Sequence, residues 1–93
     1  MDSKDIIFIM KSEIRFYILI SLKDKKQTPT ELAKNSRFHL SHVSSNLKKL
    51  TEADYIMCEE CHSNKNKIFT LSKKGKNFLK FINQITYLPE DCD

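Results

Sequence analysis

The chain has 93 residues, 40% of them hydrophobic, enough to enclose one small core and too few for a second. Sixteen Lys and Arg stand against twelve Asp and Glu, for a net charge of +4 at pH 7, and all but Arg15 and Arg37 of the sixteen are lysine. A single Gly excludes a glycine-rich phosphate loop. The apolar runs 6–10 and 14–22 are too short, or interrupted by Arg15, to span a membrane. Neither precedes a signal-peptide cleavage pattern, so a soluble, cytoplasmic protein is expected.

In chain order, residues 2–11 read equally as a short helix or an extended arm. Residues 14–22 predict a helix with Ile14, Tyr17, Ile18 and Leu22 inward at helical spacing. Next comes a capped short helix. The Thr28 side chain can accept from the Glu31 N–H while Glu31 reaches back to the Thr28 N–H, and Pro29 falls at the first helical position. Leu32 and Ala33 supply its buried face. Asn35 and Ser36 end it within about two turns, and Phe38 is placed to plug the gap before the next element.

A second helix is predicted from about His39 or Leu40 to Ala53. Val43, Leu47 and Leu50 recur at i, i+4 and i+7 and define its inner stripe. Ser41, Ser45, Lys48 and Glu52 then point outward, flanked by Ser44 and Lys49. Short hydroxyls early and lysines later suit a helix lying in a major groove, the former at base edges and the latter at phosphates. His39 and His42 stand where that helix begins and read as a cap and a further contact. Asp54 takes the left-handed position just past the helix end.

Residues 55–61 read as a strand and 68–71 as its partner, joined by the all-polar His62-Ser63-Asn64-Lys65-Asn66-Lys67. A tip carrying Asn64, Lys65 and Lys67 suits phosphates or a minor-groove edge. Ser72 can cap a last helix from about Lys73 to Thr86, with Phe78, Leu79, Phe81, Ile82 and Ile85 apolar. The fold class is therefore mainly α with a small β-hairpin (α+β). No acidic residue lies between Glu31 and Glu52, nor between Cys61 and Pro89. Basic charge is thus gathered on the serine-rich helix, the hairpin tip and the last helix, the footprint of a polyanionic partner.

The run HLSHVSSNLKKLTEADYI followed by IFTLSKKGKNFL resembles the winged helix-turn-helix regulators of the MarR- and ArsR-like type, common in bacteria and archaea. The resemblance covers about residues 12–83 and rests on joint spacing. It implies that the helix ending in Leu-Lys-Lys-Leu is the recognition helix and that Leu-Ser-Lys-Lys-Gly closes the wing. It also implies a homodimer on a roughly palindromic operator in double-stranded DNA, joined through the last helix (Phe78, Phe81, Ile82, Ile85) and the N-terminal segment. Two departures stand out: many members carry Arg where Ser45 stands, and Glu59 and Glu60 make the first wing strand acidic.

The run Cys58-Glu59-Glu60-Cys61-His62 matches the attachment pattern of c-type haem, but nothing else in the chain suits a haem, and the match reads as accidental. ArsR-like relatives often bind metals through Cys and His. Residues three apart on a regular strand point to opposite faces, so Cys58 and Cys61 would need a bend, plus ligands from His62, Cys92 or a partner subunit. The expectation is no metal or cofactor, with Cys58 reduced and structural and Cys61 exposed on the wing. No Ser/His/Asp or Cys/His set has supporting context, so an enzyme is not expected. A metal- or redox-responsive regulator and a winged-helix protein-interaction module are the alternatives.

Overall fold

The computed structural model describes residues 3–59 and 67–86, with side chains for 4–59 and 67–83. Five helices and two strands follow in the order α1 (Ser3–Met10), α2 (Glu13–Asp24), α3 (Pro29–Lys34), α4 (Leu40–Glu52), β1 (Ile56–Cys58), β2 (Phe69–Leu71) and α5 (Lys73–Thr86). The segment that read as helix or arm is helix α1, which buries Ile9 completely.

Local signals set most boundaries. The Ser12 side chain caps α2 by accepting from the Arg15 N–H. At α3 both halves of the capping box form: Glu31 N–H donates to Thr28 Oγ1 at 3.1 Å and Thr28 N–H to Glu31 Oε1 at 2.9 Å. The bond from the Thr28 backbone holds the Glu31 carboxyl below its ordinary value. The box is therefore complete above that range and opens as pH falls through the lowered pKa. The end of α4 is a Schellman motif, with Tyr55 N–H donating to Leu50 O and Asp54 N–H to Thr51 O, each at 3.0 Å. Asp54 supplies the left-handed residue at φ 67°, the conformation this motif requires.

The core joins the α4 stripe of Val43, Leu47 and Leu50 to Ile18, Leu19 and Leu22 of α2, Leu32 of α3, Phe69 and Leu71 of β2, and Phe78 and Ile82 of α5. Leu19 takes the inward place expected of Ile14 and Tyr17, which are half-buried. Tyr17 is held at that depth because its hydroxyl donates to Leu32 O at 2.7 Å. Its ring meets that of Phe38 at 5.6 Å, so Phe38, in the turn between α3 and α4, packs against α2.

The strands pair antiparallel, Ile56 with Leu71 and Cys58 with Phe69. Strand β1 stops at Cys58, shorter than the strand 55–61 expected; Tyr55 belongs to the α4 cap, and Cys61 lies outside the described residues. The loop before α3 adds a rung on the other edge. Gln27 N–H donates to Phe69 O and Phe69 N–H to Gln27 O, while buried Gln27 donates from Nε2 to Ser21 O at 2.8 Å. Ser72 caps α5 by accepting from Gly75 N–H at 3.1 Å. Gly75 is needed for close approach, since a Cβ there would stand 2.2 Å from Tyr55 O.

Candidate nucleic-acid interface

The α4 stripe fixes which face is left over. With Val43, Leu47 and Leu50 buried, Ser41, His42, Ser44, Ser45, Lys48, Lys49 and Glu52 are all exposed. His39 is the N-cap by backbone geometry, but its side chain makes no capping hydrogen bond; its exposed ring meets that of His42 edge-on at 6.0 Å. The first-turn amides of α4 thus lack a side-chain acceptor, and the helix N-terminus keeps its attraction for an anion.

Beside this face runs a cleft of about 580 Å³, lined by Pro29, Ser44, Leu47, Lys48, Thr51, Glu52, Cys58, Lys67 and Phe69. It lies where the flank of α4, the start of α3 and the base of the hairpin meet. The structure therefore brings Ser44, Lys48 and Lys67 together. Ser41, Ser45 and Lys49 lie on the α4 face outside this cleft lining, while Asn64 and Lys65 fall outside the described residues. Glu59, which made the strand look acidic, pairs with Lys26 at 3.0 Å. The pair spans the hairpin base and the loop before α3; being exposed, it is worth at most about 1 kcal/mol.

Arg37 is a cation that the sequence does not single out. It lies in the turn just before α4, exposed, pairing with Glu13 at 2.5 Å and adding a cation beside the helix start. Arg15, which read only as a break in an apolar run, is half-buried and bonded to α4 through Asn46.

Two expectations are corrected. Phe78 is 0% and Ile82 7% exposed; both fill the core of their own chain and leave little area for a second copy. Cys58, expected reduced, is disulfide-bonded. The other two cysteines, Cys61 and Cys92, lie outside the described residues. Among the described residues no group of three or more His, Cys, Asp and Glu is placed to hold a metal, and no helix is long and apolar enough to cross a membrane.

A five-residue connection linking a capped helix to a helix with an exposed polar face, then a hairpin abutting that helix, is an arrangement with a name. Residues 10–89 match the winged helix-turn-helix family model. The chain belongs to the winged helix-turn-helix family. No curated protein matches the sequence. Among solved structures, this winged helix-turn-helix chain is similar to the reduced form of the transcriptional regulator YodB from B. subtilis: TM-score 0.75, 17% identity, covering 91% of this chain and 87% of that one. It is also similar to HlyU from Vibrio cholerae: TM-score 0.72, 19% identity, covering 95% and 100%. At such identities the likeness is one of fold. The family and YodB are transcription regulators and not enzymes, and winged helix-turn-helix regulators bind double-stranded DNA.

Proposed function

We propose that the protein is a sequence-specific, double-stranded-DNA-binding transcriptional regulator that acts in the cytoplasm as a dimer on a palindromic operator. The observation that carries this reading is the α4 face: seven exposed polar residues and no exposed apolar one from Ser41 to Glu52, bordering a cleft that holds Lys48 and Lys67. His39, Ser41, His42, Ser44 and Ser45 meet base edges; Lys48, Lys49 and Lys67 meet phosphates, with Asn64 and Lys65 at the wing tip.

The dimer contact falls to the outer face of α1, where Ile7 is 53% and Met10 46% exposed, with Phe81 of α5, half-buried against the core, and Ile85, whose side chain is outside those described. A two-fold dimer presents two α4 helices to successive major grooves about 34 Å apart. Selection from a random duplex pool tests the reading: two inverted half-sites with centres about 10 base pairs apart are expected, and a pool that enriches no sequence contradicts it.

The disulfide at Cys58 supports a second reading, a thiol-responsive form of the same regulator, because Cys58 lines the cleft beside Lys48 and Lys67. Operator affinity that is the same before and after treatment with a dithiol reductant rules this form out.

A further inference from the structure

Arg15 stands in the first turn of α2 and touches two other helices. Its Nη1 donates to the carbonyl oxygen of Phe8 in α1 at 2.8 Å, and its Nε to Asn46 Oδ1 in α4 at 3.0 Å. The guanidinium also lies over the Phe8 ring, 4.3 Å from its centroid. Asn46 is held from its other end, donating from Nδ2 to His42 O at 2.8 Å. The Phe8 ring continues the contact to Tyr55 at 6.2 Å, just past the α4 cap.

This cation is unlike the lysines of the interface. It is half-buried and forms no ion pair among the described residues; its partners are a carbonyl, an amide oxygen and an aromatic face. A planar, forked guanidinium can satisfy these three directions together, whereas an ammonium cannot stack and bond in the same plane.

Among the described residues, the other contacts of residues 40–52 with the body come from an apolar stripe, which resists separation but is non-directional, while the directional bonds from Lys74 Nζ to Ala53 O and from Ser72 Oγ to Asp54 O hold only the end of the helix. The Arg15–Asn46 bond is directional, and Asn46 is next to Ser45 on the exposed face. The stripe decides which face of α4 turns outward, and the Arg15 bonds to Asn46 and to Phe8 O add a directional tie between that face and α1.

We propose that Arg15 is a positioning residue for sequence discrimination: without touching DNA, it sets the angle at which α4 presents its polar face relative to α1. The proposal deepens the DNA-binding reading and rests on it. Across a dimer joined through α1, the same bond sets the relation between the two recognition helices. Binding to arbitrary duplex, which needs only charge near phosphates, does not depend on it.

The test compares Arg15→Lys, Asn46→Ala and the double variant with the native protein, on the selected operator and on a scrambled duplex over a range of salt. Arg15→Lys keeps the charge; Asn46→Ala places the best helix former at a helix position and keeps the test open if the lysine variant fails to fold. Each single variant should lose about tenfold in operator affinity, the scale of a hydrogen bond to a charged group, with scrambled-duplex affinity and salt slope unchanged. The double variant should be no worse than either single one.

A salt slope lowered by about one unit, with equal loss on both duplexes, would make Arg15 a phosphate contact and overturn the proposal. So would additive losses, which make Asn46 an independent base contact, or full discrimination in Arg15→Lys, which leaves Arg15 merely structural. Amide spectra of the free protein add an arm that needs no DNA: Arg15→Lys should shift resonances of α1 and of residues 40–52 together, and a shift confined to α1 and α2 contradicts the coupling. A native protein that selects no operator refutes the DNA-binding reading, while the spectra still decide the coupling.

Discussion

Helix α4 and the hairpin meet at one cleft but are held there in opposite ways. The helix carries its own instructions: three apolar residues at helical spacing, a backbone cap at His39, and a Schellman end with Asp54 left-handed. The hairpin has only three residues per strand, and no pair that short is stable alone. It is fixed from outside, by the Gln27 rung on Phe69, by the bond from Ser72 Oγ to Asp54 O at 2.5 Å, and by Lys26 on Glu59. The helix is thus suited to specify and the hairpin to hold.

Three variants sharpen that comparison, in order of expected effect. Leu47 is 1% exposed in the α4 stripe, and Leu47→Ala should cost about 2–5 kcal/mol of unfolding free energy in urea titration. A loss under 1 kcal/mol would mean that the stripe does not hold the helix. Ser45→Glu should leave the urea midpoint unchanged, because the side chain is exposed. It should lower operator affinity about a hundredfold, near 3 kcal/mol, by setting a carboxylate against phosphates. Equal affinity in the folded variant removes Ser45 from the interface. Gln27→Ala keeps the backbone rung but strands the acceptor at Ser21 O, costing roughly 1–3 kcal/mol. Amide exchange should then quicken at Phe69 before it does in α4, and uniform quickening would mean that the hairpin is not separately anchored.

The same contrast explains what could be read from the sequence. The capping box, the α4 limits, Asp54 and the Ser72 cap were legible because each is written within a few residues. The inner stripe was legible by period, and the outer face followed from it. The strand ends were not, since three residues show no alternation to count. Gln27 gave no sign of its rung to Phe69, nor Gly75 of its packing against Tyr55 O, because those partners are distant in sequence. Arg15 looked like a flaw in an apolar run for the same reason: Asn46, its partner, is 31 positions away.

The division of labour between helix and hairpin is tested most directly by one measurement: operator and scrambled-duplex affinity against salt for the native protein and for Lys65→Ala combined with Lys67→Ala. With six or more phosphate contacts the native log–log slope should be roughly −5 or steeper, and the double variant should flatten it by about two units. The ratio of operator to scrambled affinity should stay the same, because that ratio belongs to α4. An unchanged slope with the ratio lost would mean that the hairpin reads sequence and the helix does not, which contradicts the account.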